Sequence, residues 1–389
     1  MKVLFKTFTL FIVLIFTIQA YACEHKKNDK TTLFTEAIAQ KPSKKVIQVA
    51  LLLDTSNSMD GLINQAKAQL WDIVNELSYA RCEHVAPDLE IALYEYGNNQ
   101  LSSEEGYIRQ VIGFTSDLDD LSEKLFSLTT DGGEEFCGTA INTALKQLSW
   151  SKDKSALRLL FIAGNEPFTQ GPLNYIDAST NALEKDVIVN TIFCGNYNQG
   201  IQGKWKDGAE RAKGEYMAID HNRKIIQIIT PYDDRILILN NKLNKTYIPY
   251  GQRGQYKMSM QEAQDANAAS INSEVKLKRT VSKSSRLYNN STWDLVDAAE
   301  EDSFEVSKLK EEELPAELKG KSEKEITKYI EAKKTERDAV QAEIQELNKK
   351  RTAYIAKKSA EGGDTGLENA MIKAIKKQAA LKKYVWKKR

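Results

Sequence analysis

Between Lys45 and about Gly251 the chain alternates short apolar runs with stretches whose apolar residues return every three or four positions. VIQVALLLD at 46–54 is a continuous apolar run, the pattern of a strand covered on both faces. GLINQAKAQLWDIVNELSYA sets Leu62, Ile63, Ala66, Leu70, Ile73, Val74 and Leu77 on one stripe, which predicts an amphipathic helix. LEIALYEYG and YIRQVIGF read as strands joined by polar NNQLSSEEG, a link short enough for a hairpin, so one strand should run antiparallel. LRLLFIAG, DVIVNTIFCG and EYMAID supply three more strands; LDDLSEKLFSL, TAINTALKQLSW, DGAERAKG and DDRILILNNKLNKTYI supply helices. The pattern predicts an α/β fold, a doubly wound and mainly parallel six-stranded sheet, which presents ligands at the carboxyl ends of its strands.

Beyond residue 250 the pattern weakens. Residues 251–310 are helix-compatible in part but carry no clear stripe. From Ser322 to about Ser359 there is no Gly or Pro, and Ile326, Ile330, Val340, Ile344, Leu347 and Tyr354 form a seam interrupted by Lys333, Arg337 and Arg351. Gly362 and Gly363 should break this helix before LENAMIKAIKKQAALKKYVW resumes as another. Residues 311–389 therefore read as a helical hairpin or a coiled coil, the latter open to self-association.

The ends and the composition add context. MKVLFK, the apolar TLFIVLIF and the small-residue Ala20-Tyr21-Ala22 predict a signal peptide over 1–22 and hence export. Cys23 follows the cut, so the junction also resembles a bacterial lipoprotein, with 23–43 as a polar tether; a periplasmic and a membrane-anchored form both fit, and the anchor would be the membrane contact. The tether favours the anchor. Lys and Arg number 55 against 54 Asp and Glu, so no net field selects nucleic acid. Four cysteines and three scattered histidines offer no zinc spacing. Cys137 and Cys194 fall in loops at one end of the sheet, which makes them the best candidates for a disulfide, with buried free thiols as the alternative.

The chemistry gathers at the end of the first strand. Asp54, Ser56 and Ser58 follow VIQVALLL at alternate positions and open onto a helix. They could serve only as helix caps. A phosphatase-type nucleophile would require a second acid where Ser56 stands, no G-x-S-x-G elbow occurs, and no phosphate-binding loop is present, so an enzyme is not expected. Asp54-x-Ser56-x-Ser58 resembles the metal-ion-dependent adhesion site of von Willebrand factor type A domains, and the order of strands and helices over 44–250 is similar to that family's. CGTAINTAL places Thr139 at the family's next ligand position. FIAGNEPFTQGP, EIALYEYGNN, TPYDD and NKTYIPYG resemble a bacterial secreted subgroup with a helical tail.

The resemblance implies Mg²⁺, or Mn²⁺, held by Asp54, Ser56, Ser58 and Thr139, with an acidic residue of a protein partner completing an octahedral oxygen shell. One position departs from the family. An Asp usually ends the fourth strand, and here Gly164 stands there, which should weaken the metal; Asn165, Glu166 and Asp131 are the nearby candidates to support it. The functional expectation is a metal-dependent, adhesion-type protein-binding module in the cell envelope. The alternative is a metal-free scaffold assembled through its helical tail.

Overall fold

A computed structural model describes residues 45–219, 228–360 and 367–386. In chain order the elements are β1 (Val46–Asp54), α1 (Asp60–Leu77), β2 (Ala80–Cys82), β3 (Asp88–Tyr96), β4 (Ile108–Thr115), α2 (Leu118–Phe126), α3 (Cys137–Gln147), β5 (Leu157–Gly164) and α4 (Tyr175–Glu184). There follow β6 (Ile188–Cys194), α5 (Tyr197–Gln202), α6 (Trp205–Arg211), β7 (Tyr216–Ile219), α7 (Asp233–Asn244), α8 (Gly254–Ile271), α9 (Ser273–Lys283) and α10 (Leu295–Ala298). The last described elements are α11 (Glu323–Ala360), α12 (Leu367–Leu381) and β8 (Tyr384–Trp386).

Six strands form one sheet in the order β4-β3-β1-β5-β6-β7, and every neighbouring pair is parallel except β3 with β4. The antiparallel hairpin is the one that the short NNQLSSEEG link predicts. β1 lies inside the sheet and is buried along nearly its whole length. Its residues alternate between the two faces: Ile47, Val49, Leu51 and Leu53 enter the core layer under α1 and α2, while Ala50 and Leu52 enter the layer under α3 and α4. From β1 the chain moves outward to β3 and β4 and then returns to β5 on the other side. The carboxyl ends of β1, β3 and β5 therefore meet where the winding reverses, the position at which such sheets bind ligands.

Residues 251–310, left open by the weak sequence pattern, are largely helical. α8 and α9 pack on each other and on α1, and α8 also reaches α2. What hides their amphipathic stripe is charge buried at the contact. Arg279 lies 2.8 Å from Asp119 and 2.7 Å from Asp265, with its guanidinium 4.9 Å from the Trp71 ring centre, and Lys283 lies 2.9 Å from Asp265. Asp265 is held well below the ordinary carboxylate range: burial opposes this, and Lys283 and Arg279 outweigh it.

The apolar seam of α11 is used within the chain. Ile326, Ile330, Val340 and Ile344 are buried, and the helix packs on α7, α9 and α10. Two of its interruptions are clamps. Arg337 reaches Asp294 and Asp297, each at 2.6 Å, and lies 4.1 Å from the Tyr247 ring centre. Arg351 pairs with Asp233 at 3.0 Å and with Glu274. α12 packs on α1, β7 and β8, so both long helices of the tail cover the domain that precedes them. Beyond α12, β8 pairs antiparallel with β2.

Arg337→Ala would leave Asp294 and Asp297 buried without their cation and should cost roughly 3–5 kcal/mol in urea unfolding. The exposed neighbour change Glu336→Ala should stay within about 0.5 kcal/mol. Equal effects would show that the clamp contributes nothing specific.

Candidate functional site

The strand end is built by backbone geometry. Thr55 donates its N–H to the Tyr96 carbonyl at 2.8 Å, so β1 stays paired with β3 up to the turn. The Asp54 carboxylate, fully buried, accepts the Ser56 N–H at 2.7 Å. Ser56 is extended (φ −66°, ψ 164°) and a short 3-10 turn, Asn57–Met59, leads into α1. Neither this turn nor α1 receives a side-chain cap at its start, so capping does not account for Ser56 and Ser58.

Asp54, Ser56, Ser58 and Asn165 meet here. The Ser56 and Ser58 hydroxyls are 3.3 Å apart, and Asn165 Nδ2 donates to Ser58 Oγ at 3.1 Å. Thr139, in the first turn of α3, is packed against Gly106, whose Cα lies so near that an added Cβ would stand 2.7 Å from Thr139 Cγ2. Asp54 Oδ2, Thr139 Oγ1 and Asn165 Oδ1 are all buried without a hydrogen-bond partner. The other two supporting candidates contribute through the main chain. Asp131 donates its N–H to the Thr55 carbonyl at 3.0 Å while its carboxylate accepts from Gln100 at 3.4 Å, and the Glu166 carbonyl accepts from Trp205 Nε1 at 2.8 Å.

Gly164 has a physical explanation. A Cβ added there would lie 2.4 Å from the Tyr96 hydroxyl, 3.1 Å from Asp54 Oδ2 and 3.2 Å from the Trp205 ring. Tyr96 Oη donates to the Ala163 carbonyl at 2.9 Å, so the space of a strand-end side chain is filled by a phenol.

Sequence reasoning missed Glu135. It sits in the loop before α3, only 5% exposed, and its side chain adjoins the Asp54 carboxyl: a Cβ added to Gly97 would meet both, Asp54 Oδ1 at 2.8 Å and Glu135 Cγ at 2.9 Å. Its Oε2 is another buried oxygen without a partner. Burial pushes both carboxyls above their ordinary range, Asp54 further, with the adjoining Glu135 carboxyl as the next cause. The doubled glycine of TTDGGEE, just ahead of CGT, is the signal that could have pointed to it.

The expected disulfide is absent: Cys137 and Cys194 are buried free thiols. The sheet separates them, since Cys194 belongs to the core layer under α1 and Cys137 to the layer under α3, where its sulfur lies 3.7 Å from the Tyr96 hydroxyl. Burial pushes both thiols well up. Cys23, the signal peptide and the tether lie outside the described residues.

Among the described residues no three His, Cys, Asp or Glu side chains cluster as a metal site. The donors at the strand end are instead hydroxyls with two carboxyls, a set suited to a hard divalent cation, and the orphaned oxygens fit such an ion.

The buried pair fixes a sign. With both folded-state carboxyl pKa values raised, the folded chain holds more protons than the unfolded one, so the pair's contribution improves as pH falls through the raised values towards about 4. In a chelator, wild-type melting temperature should therefore gain on acidification relative to Asp54→Asn, and parallel pH profiles would contradict this.

The family model of the von Willebrand factor type A domain matches residues 48–202. Solved structures matched by the chain include the conserved hypothetical protein BatB from Bacteroides thetaiotaomicron, 18% identical, covering 45% of this chain and 90% of that one with a TM-score of 0.34. An aerotolerance-related membrane protein from Bacteroides fragilis is 15% identical, covering 45% and 92% with a TM-score of 0.31. Proximal thread matrix protein 1 from the mussel byssus, with a zinc-occupied MIDAS motif, is 10% identical, covering 45% and 42% with a TM-score of 0.33. A search of curated proteins finds no match. On the family match, residues 48–202 of this chain are a von Willebrand factor type A domain.

Proposed function

We propose that the domain is a metal-dependent protein-binding module, with Mg²⁺ or Mn²⁺ held by Asp54, Ser56, Ser58 and Thr139. The observation that carries this reading is the set of buried, unpartnered oxygens on Asp54 at the end of β1, on Thr139 in the first turn of α3 and on Asn165 just after β5. Asn57 and Ser58 are exposed beside them, which leaves one side of the site open to a partner. When bound, the cation supplies an electrophilic centre that accepts an oxygen ligand. Asp54 holds charge on the inner side and orients Ser56 through its N–H; Asn165 orients the Ser58 hydroxyl. Neutral hydroxyls as direct ligands leave the cation attractive to a carboxylate, so the partner presents an Asp or Glu.

The export signal and a lipid at Cys23 would place this module in the bacterial cell envelope. The alternative, assembly through the helical tail, draws no support from α11, whose apolar seam is already covered by the chain's own helices. No observation favours an enzyme.

Calorimetric titration of the protein with Mg²⁺ and Mn²⁺ tests the reading. Binding should disappear in Asp54→Ala and weaken at least about tenfold in Ser56→Ala, with melting in a chelator still cooperative in Ser56→Ala. Titration curves unchanged in both variants would remove the metal from the account.

A further inference from the structure

The family's usual strand-end acid is missing at Gly164, and the Tyr96 hydroxyl stands where its side chain would begin. Restoring an acid there without moving Tyr96 is sterically excluded. A carboxylate arrives from a different direction. The loop at 129–136 folds against the end of β3, and two glycines bring it close. Gly97 has φ +78°, and a Cβ on it would lie 2.8 Å from Asp54 Oδ1 and 2.9 Å from Glu135 Cγ. A Cβ on Gly133 would lie 2.6 Å from the Gly97 carbonyl oxygen. Asn98 fastens the arrangement by donating to the Thr129 carbonyl at 3.0 Å.

The result is a Glu135 side chain buried beside the Asp54 carboxyl, the two closing on the same point over Gly97. Among the described residues neither carboxyl has a lysine or arginine partner, although buried acids elsewhere in the chain, such as Asp265 and Asp294, do. Two adjoining buried carboxyls without a protein cation repel one another, and a divalent ion between the hydroxyls of Ser56, Ser58 and Thr139 would balance both.

We propose that Glu135 is the second carboxylate of the cation site, supplied by the loop before α3 in place of an acid at position 164. This rests on the metal reading of the same site. Glu135 lies on the buried side with Asp54, while Ser58 remains exposed, so the added charge strengthens the hold on the cation and leaves the open side to a partner.

The test is Mn²⁺ titration of the protein by calorimetry, together with melting in a chelator and in Mn²⁺. Glu135→Gln, Glu135→Asp and the exposed control Glu134→Gln are compared with wild type. Glu135→Gln should lose at least about tenfold in Mn²⁺ affinity, as removal of a supporting metal-site carboxylate does. In chelator it should melt above wild type, because one of two repelling charges is gone. Glu135→Asp keeps the charge on a shorter arm and should bind between the two, while Glu134→Gln should match wild type. Wild-type affinity in Glu135→Gln, or the same loss in Glu134→Gln, overturns the assignment of Glu135 alone. Absence of Mn²⁺ binding to wild type overturns the metal reading and this assignment together.

Discussion

Holding Asp54 and Glu135 side by side out of water is the constraint around which the carboxyl end of the sheet is arranged. A lone buried carboxylate is costly, and a second beside it is costlier unless a cation or a proton intervenes. The parallel sheet makes the burial unavoidable, because the middle strand β1 is covered on both faces and delivers Asp54 directly from the core. Everything nearby follows: Tyr96 fills the volume at Gly164, Asn165 steers Ser58, and the glycines at 97 and 133 admit the loop that carries Glu135. The same tolerance is not extended elsewhere, where buried acids meet arginine or lysine.

How much of this was legible in the sequence depended on periodicity. β1, α1 and the antiparallel β3–β4 pair are legible because each is a regular element whose face is set by its period, whereas Thr139 is reached only through the resemblance of CGTAINTAL to a family motif. Glu135 could not, since a loop has no period and TTDGGEE offers three acids with nothing local to choose among them. The choice is made by a close approach between two glycines far apart in sequence. Helices α8 and α9 were obscure for a different reason. Arg279, Lys283, Asp265 and Glu274 occupy interior positions, so polar letters stand where a stripe should be apolar. Cys137 and Cys194 sit at the same end of the sheet but on opposite sides of it, a distinction that strand order alone does not carry.

The tail teaches a related lesson about heptad-like seams. Ile326, Ile330, Val340 and Ile344 of α11 form a buried face, and their spacing serves a helix lying on a globular surface as well as it serves a coiled coil. Arg337 and Arg351, which looked like faults in a coiled coil, are the residues that tell the two apart: each ends in a specific acidic pocket of the preceding domain. A buried charge in a seam fixes register and partner at once, because only one surface holds its counter-charges.

The pairing of β8 with β2 brings residue 384 beside residue 82. A ribosome must therefore emit some three hundred further residues before the edge formed by Ala80–Cys82 finds its neighbour, and until then α1 lacks part of its cover from α12. Contacts of such long sequence separation form late and slow the approach to the native state. Until that pairing forms, the edge at Ala80–Cys82 stays open.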